Sequence, residues 1–292
     1  MKNILIIDSN AVAHRAKYSM QGLSYKEMET GVIFGFMTEL LKLATKFETN
    51  KFAFAWDSKK SIRKVIYSDY KYKRAKARKE KTKEEKVIDK LAYEQFHLIR
   101  KEVLPLFGFK NNFIRTGHEA DDIIANILLN NKKKERKFII VSNDEDLYQL
   151  LNKASIYSLG KKRVITKDEF ESEYNISCDR WAEVKSIAGC STDSVEGVRG
   201  VGEKTAIKYL NGELKKGVAL ERIKNSSKII NRNSVLVTLP LQINSEDGMD
   251  PIKLKFKNEE FTLRDFHIMC DKYGFYSFKS ATNYWVKKFR MV

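Results

Sequence analysis

Three short apolar runs in this chain each lead into an acid, and that grammar restricts the fold more than any other feature. Ile4 to Ile7 runs into Asp8, Phe52 to Trp56 runs into Asp57, and Phe138 to Val141 passes through Ser142 and Asn143 to Asp144. Runs of four or five apolar residues, separated by longer helix-like stretches, read as strands buried on both faces of a parallel sheet. The predicted class is α/β, with a mainly parallel central sheet flanked by helices. In such sheets ligands bind outside the carboxyl ends of the strands. Asp8, Asp57 and Asp144 are therefore expected along one edge, although they are far apart in sequence. A single acid after a strand is ordinarily a loop residue or a helix N-cap; three of them make that explanation insufficient.

A fourth segment, Gly117-His118-Glu119-Ala120-Asp121-Asp122, opens a periodic stretch containing Ile123, Ile124, Ile127 and Leu128 and reads as the first turn of a helix. Acids there complement the helix dipole by about 0.3–1 kcal/mol each, which accounts for one or two of them. Glu119 and Asp122 share a face at i,i+3 with Asp121 beside them, so their mutual repulsion calls for a counter-charge. A divalent cation supplies one. Asp146 in VSNDED and Asp193 in GCSTD bring the candidate carboxylates to eight. All are hard oxygen donors suited to Mg²⁺ or Mn²⁺. Zinc is not expected as the natural metal, because Cys178, Cys190 and Cys270 form no CxxC pair and the four histidines form no HExxH motif.

This acidic set sits in a chain of formal net charge +17. Between Lys59 and Lys90, 14 basic and 5 acidic residues give +9. Within that span KYKRAKARKEKTKEEK has few apolar residues and reads as solvated helix or mobile chain rather than core. Because it follows the strand ending at Asp57, it must rise beside the acidic edge, where it attracts a polyanion that the carboxylates repel. Lys71 and Arg74, at i,i+3, address one phosphate together. An acidic pocket in a basic protein points to metal-dependent cutting of nucleic acid.

A second nucleic-acid signal is Gly197-Val198-Arg199-Gly200-Val201-Gly202-Glu203-Lys204-Thr205-Ala206. Its glycines permit a tight turn and close backbone approach, and the helix start behind them presents N–H groups to a phosphate. This is helix–hairpin–helix grammar, which grips the sugar-phosphate backbone without reading bases. Three cysteines without paired spacing argue for a reducing compartment. No signal peptide is expected, since Asp8 interrupts the first apolar run, and no apolar run reaches the roughly 18 residues of a membrane span. The expectation is a soluble, cytoplasmic protein. Leu263 to Tyr273 reads as a helix, and the aromatic and basic tail after it as packing or partner-binding surface.

With IIDSN, AWD, YKYKR, GHEADD, SNDEDLYQLL, GCSTDSVEGVRGVGEKTA and NSVLVTLP in place, nearly the whole chain resembles the 5′ nucleases. These include phage 5′→3′ exonucleases, flap endonucleases and the N-terminal nuclease domain of bacterial DNA polymerase I. The resemblance implies a PIN-like catalytic core over 1–176, with a basic helical arch at about 59–100, and a helix–hairpin–helix region with C-terminal helices over 177–292. It implies that Asp8, Asp57, Glu119, Asp121 and Asp122 serve mainly a first Mg²⁺ or Mn²⁺, that Asp144 and Asp146 lie between two ions, and that Asp193 serves the second. Lys71 and Arg74 would contact the scissile phosphate, and Tyr70 would stack on a terminal base. Lys76, Arg78 and Lys79 would bind DNA in the arch, and Gly200, Gly202, Lys204 and Thr205 would hold the duplex, with K⁺ at the hairpin. The implied activity is 5′→3′ exonuclease and structure-specific flap endonuclease on DNA, extending to RNA primers, in replication or repair. The implied partners are DNA with a 5′ flap or 5′ end, RNA–DNA and replication proteins, for a monomer that works in the host cytoplasm if phage-encoded.

One departure stands out. The family pattern GDxxDN is here Gly189-Cys190-Ser191-Thr192-Asp193-Ser194, so a cysteine replaces an expected carboxylate and the second ion loses a hard ligand. A PIN-type ribonuclease and a non-catalytic structure-specific DNA-binding protein are the competing readings. The long basic segment and the hairpin oppose the first. The acids retained in the pocket oppose the second, since a pure binder gains nothing from repelling phosphate.

Overall fold

The computed structural model describes residues 2–20, 22–131, 135–242, 249–257 and 259–292. Strand β1 (Lys2–Asp8) lies at the centre of the main sheet. A short hairpin, β2 (Ser24–Tyr25) and β3 (Met28–Glu29), follows, then β4 (Phe52–Trp56), β5 (Asn112–Ile114), β6 (Arg136–Val141), β7 (Ser155–Ser158) and β8 (Arg163–Ile165). The sheet order is β5-β4-β1-β6-β7-β8, parallel throughout except for the antiparallel edge strand β8. In register, Asp8 stands opposite Ala55 and Ile7 opposite Val141. The carboxyl ends of β4, β1 and β6 thus come out side by side.

Successive residues of a strand face opposite sides, and β1 feeds two cores. Leu5 and Ile7 pack with Phe52 and Phe54 beneath α1 (Ser9–Ser19) and α2 (Gly31–Lys46). Ile4 and Ile6 pack with Ala53 and Ala55 on the other face, beneath α7 (Ala120–Asn130) and α9 (Trp181–Ala188). Coverage of both faces is why these runs are apolar without alternation.

The basic segment is ordered as three helices, α3 (Ile62–Ile66), α4 (Tyr72–Glu80) and α5 (Lys83–Leu98). No residue of α4 is buried. A capping box between Thr82 and Glu85 starts α5, and its far end is anchored where Gln95 Oε1 accepts from Val32 N (2.9 Å) and Ile33 N (3.3 Å) at the start of α2. Asp89 pairs with both Lys17 of α1 and Lys81, tying the exposed helices to the body. A π-helical stretch (Ile99–Val103) and α6 (Leu104–Phe107) lead to β5.

After α8 (Lys167–Tyr174) and α9, a two-residue ribbon, β9 (Gly189–Cys190) with β10 (Val195–Glu196), precedes α10 (Glu203–Leu210), α11 (Val218–Lys224) and α12 (Ser227–Val237). The sequence division at residue 176 does not separate two cores. Trp181, Val184, Val198 and Val201 belong to the core on the α7 side. The final helices α13 (Leu263–Tyr273), α14 (Tyr276–Ser280) and α15 (Thr282–Phe289) return to the other face, where Phe266, Trp285 and Phe289 join Phe52 and Phe54. The aromatic tail packs there. No helix among the described residues is long and apolar enough to cross a membrane.

Candidate active site

Each strand end places its acid by ordinary local structure. Asp8 is the N-cap of α1, its Oδ1 accepting from Ala11 N (3.0 Å), while Ser142 Oγ donates to its Oδ2 (2.8 Å). The capping explanation and the edge prediction thus both hold for Asp8. Asp57 Oδ1 accepts from Ala120 N (2.8 Å), which fixes the strand end after β4 against the first turn of α7. Asp144 caps the 3₁₀ turn Glu145–Leu150 by accepting from Asp146 N (2.9 Å), and its own N–H is held by Ser142 Oγ (3.1 Å).

The acids repel one another in a region withdrawn from water. Burial, then Asp57 and Asp144, raise the Asp8 carboxyl to about 7. Burial, then Asp144, Asp8, Asp57 and Glu119, lift Asp121 well above the ordinary carboxylate range. Asp57 is raised chiefly by burial, against the Ala120 N–H and Lys71, which lower it. Burial and Asp144 carry Asp146 to about 6, with Lys185 opposing. A set of carboxyls that destabilise one another's charge needs a cation to become fully ionised. Asp8, Asp57, Asp121, Glu119 and Asp144 offer only oxygen, and this donor chemistry fits a hard divalent ion.

Protein cations already reach into the pocket. Lys71 Nζ lies 2.7 Å from Glu119 Oε1, and Arg74 Nη2 lies 2.8 Å from Asp193 Oδ1. Their position comes from the backbone. Lys71 adopts left-handed φ 58° at the N-terminus of α4, as does Ser194 at φ 58° in the facing turn. Lys71 N donates to Asp193 O (2.7 Å), Lys73 N to Ser194 Oγ (3.1 Å) and Arg74 Nε to Thr192 O (3.1 Å). Two strained turns thus hold each other, and the base of the basic helices is locked to the GCSTD segment.

Two expected roles change. Asp122 is not available as a metal ligand. It is fully buried, Arg63 takes both its oxygens (2.6 and 2.8 Å), and it also accepts from Leu241 N (2.7 Å) and Glu119 N (3.1 Å). Its lone pairs are spent inside the protein. Tyr70 does not offer its ring to a base. It is 3% exposed and packs with Cys190, Val195, Leu236 and Val237, and its hydroxyl stands 2.8 Å from Glu119 Oε2 and 2.9 Å from Asp193 Oδ2. With one proton it donates to one carboxylate at a time and joins the two acids.

Arg63 and Lys185 escaped the sequence reading. Lys185, on α9 and almost wholly buried, lies 3.4 Å from Asp146 Oδ1 and 2.7 Å from Glu203 Oε1, joining the pocket to the first turn of α10. Its i,i+4 spacing from Trp181, which its amine overlies at 5.2 Å, was the available signal. Arg63 is one basic residue among many in its segment and carries no such mark.

Asp146, Cys190 and Asp193 have donor atoms within 4.8 Å of one another, the one such group of His, Cys, Asp or Glu side chains among the described residues. Burial, then Asp146, pushes the Cys190 thiol up to about 11. With sulfur among its donors this group does not fit Mg²⁺. Lys76, Arg78 and Lys79 are exposed on α4. Gly200 takes left-handed φ +74° in the hairpin turn and Gly202 caps α10 in extended conformation. A Cβ at Gly197 would stand 2.1 Å from Ala188 O, so only glycine permits that approach. Lys204 is exposed and Thr205 half-buried beside the turn. The α4 and hairpin residues do not line the pocket, whereas Asp146, Cys190 and Asp193 do.

Residues 3–175 match the family model of the 5′-3′ exonuclease N-terminal resolvase-like domain, and the chain belongs to that family. It is 28% identical over 267 residues to the thermostable DNA polymerase I of Thermus thermophilus, covering 85% of this chain and 30% of the polymerase. It therefore spans under a third of that relative's length. To the 5′-3′ exonuclease of Buchnera aphidicola it is 26% identical over 245 residues, covering 82% of this chain and 77% of the relative. Among solved structures, the bacteriophage T5 flap endonuclease, in a pseudo-enzyme-product complex with DNA and metal ions, superposes with a TM-score of 0.67. The identity is 22%, over 82% of this chain and 90% of that one, and the likeness establishes the shared fold.

Proposed function

We propose that this chain is a divalent-metal-dependent 5′ nuclease, a 5′→3′ exonuclease and structure-specific flap endonuclease that hydrolyses DNA phosphodiesters. The observation that carries this reading is the meeting of opposites in one pocket. Mutually repelling carboxylates line the carboxyl edge of the sheet, and Lys71 and Arg74 descend among them from an exposed basic helix.

Asp8, Asp57, Asp121 and Asp144, with Glu119, would hold an ion such as Mg²⁺ or Mn²⁺. When bound, such an ion supplies Lewis-acid stabilisation of phosphoryl oxygens and a more acidic water. The other work falls to the protein's side chains. Lys71 and Arg74 turn from Glu119 and Asp193 to the scissile phosphate and balance the charge that develops on it. Tyr70 holds Glu119 and Asp193 in place. Lys76, Arg78 and Lys79 draw the single-stranded 5′ end along α4, while Gly200, Gly202, Lys204 and Thr205 meet the duplex backbone.

The test is cleavage of a 5′-flap DNA, a 5′-ended duplex and an RNA strand, each with Mg²⁺, with Mn²⁺ and in excess EDTA. Cutting of the DNA substrates only with a divalent ion is expected. Full activity in EDTA removes the metal reading, and cutting confined to the RNA strand favours the PIN-type ribonuclease.

A further inference from the structure

Cys190 occupies the place where the resembled pattern has a carboxylate, and the fold aims it into the pocket. The β9–β10 ribbon pairs Cys190 with Val195 and closes through the turn that presents Asp193. Cys190 is 9% exposed and lines the pocket together with Asp121, Asp146 and Asp193. Its sulfur lies 3.1 Å from Thr192 Oγ1, a hydroxyl able to donate to a thiolate. Three features thus coincide: convergence of three donor atoms within 4.8 Å, burial of the Cys190 side chain in the pocket wall, and a local donor for its anionic form.

Ligand softness decides what such a trio prefers. Mg²⁺ demands octahedral oxygen and gives up water reluctantly, so a thiol in its shell is a loss of both charge and affinity. Thiolate selects the softer divalent ions. Bond lengths of roughly 2.0–2.3 Å place tetrahedral ligands about 3.5 Å apart, so the three donors reach that spacing by side-chain rotation in which the ion displaces Lys185 from Asp146 Oδ1 (3.4 Å) and Arg74 and Tyr70 from the Asp193 oxygens (2.8 and 2.9 Å). We propose that Asp146, Cys190 and Asp193 form a thiophilic divalent-cation site that takes Zn²⁺, Cd²⁺ or Co²⁺ in preference to Mg²⁺, beside the all-oxygen Asp8–Asp57–Asp121 group. As the metal–sulfur bond forms, the thiol proton leaves to solvent. This inference rests on reading the pocket as metal-holding and adds that its two halves differ in hardness. The bland competitor is Cys190 as a small apolar packing residue beside Tyr70, Leu236 and Val237.

The test titrates Co²⁺ and Cd²⁺ into the full chain and into C190S and C190D, recording ultraviolet sulfur-to-metal charge-transfer absorption. Competition calorimetry with Zn²⁺ and Mg²⁺ accompanies it. Cys178 and Cys270 are present in all three proteins, so the difference spectrum isolates Cys190. The expected result is a charge-transfer band in the parent that both variants lose. The parent should bind Zn²⁺ at least about tenfold tighter than C190S, and C190D should bind Mg²⁺ tighter than the parent. A parent spectrum superimposable on that of a folded C190S, or equal Zn²⁺ affinities, overturns the proposal. Mg²⁺-dependent flap cleavage by the same preparations separates the two readings. A protein that cuts DNA but shows no band sinks this inference alone, and a band without cleavage sinks only the nuclease assignment.

Discussion

The Arg63 guanidinium and the Asp122 carboxylate form a two-point bridge, Nη1 to Oδ2 at 2.6 Å and Nη2 to Oδ1 at 2.8 Å, with both side chains inside the protein. Arg63 Nε also donates to Leu236 O (2.7 Å), and Asp122 accepts from Leu241 N (2.7 Å). One ion pair thus joins α3, α7 and the end of α12. Against burial, which raises it, the Arg63 bonds hold the Asp122 carboxyl below its ordinary 3.8. Its contribution is complete at neutral pH and is lost as pH falls below about 4 through the folded value.

D122N leaves Arg63 buried with only the more distant Glu119, 3.8 Å from Nη1, as counter-charge. Urea unfolding at pH 7 should show a loss of about 3–5 kcal/mol. The double variant R63M/D122L removes both charges and should recover a large part of that loss. A single variant within about 1 kcal/mol of the parent would show that water reaches the bridge.

D121N and D144N remove charge from the pocket without changing its shape. DNA cleavage should fall by a hundredfold or more, beyond the roughly 10–100-fold typical of groups that only support a ligand. Binding of flap DNA, measured by fluorescence anisotropy, should stay equal or tighten, because fewer anions face the phosphate. Parental cutting rates in both variants would place the metal elsewhere.

The basic residues should divide by position. Lys71 sits at the floor against Glu119, so K71A should lower turnover more than affinity. Lys76, Arg78 and Lys79 ride the exposed helix, so the triple alanine variant should weaken binding. Its log Kd against log salt slope should flatten by about 0.7 for each single-strand phosphate that the variant no longer neutralises. Equal affinity losses in both variants, with turnover unchanged, would refute the division.

What the sequence shows here follows burial. β1, β4 and β6 are covered on both faces, so their apolar runs are unbroken and their terminal acids mark one edge. The side-chain partners are another matter. Spacing places Glu119 and Asp122 on one face of α7, but only packing reveals that Arg63 claims Asp122. Tyr70 reads as a stacking aromatic at the head of YKYKR, and its burial depends on Leu236 and Val237, more than 160 residues away. The β9–β10 ribbon is too short for strand periodicity, so the inward aim of Cys190 leaves no sequence pattern. Leu263 to Tyr273 reads as a helix and the tail as aromatic surface, without any sign that Phe266, Trp285 and Phe289 pack on α6, with Phe289 reaching Phe52.

Glu259 gives a stability signal of the opposite sign to Asp122. Its side chain is shielded from solvent, with Oε1 accepting from Asn111 Nδ2 (2.9 Å) and Lys51 Nζ standing 3.8 Å from Oε2. Burial raises its carboxyl from 4.5 to about 7, against the Asn111 hydrogen bond and Lys51, which lower it. The unfolded chain loses this proton near 4.5 while the folded chain keeps it to about 7. Between those values the unfolded state binds fewer protons, so Glu259 makes stability fall as pH rises. At about 1.4 kcal/mol per pKa unit the ceiling is on the order of 3 kcal/mol. E259Q keeps an acceptor for Asn111 and cannot ionise. In EDTA, the stability of E259Q minus that of the parent should therefore climb by about 1–3 kcal/mol between about pH 4 and about pH 8. Taking the difference cancels Asp8 and Asp146, which titrate in the same window in both proteins. A flat difference across that range would mean that Glu259 is already ionised at its acid end and that Lys51 or water compensates its charge.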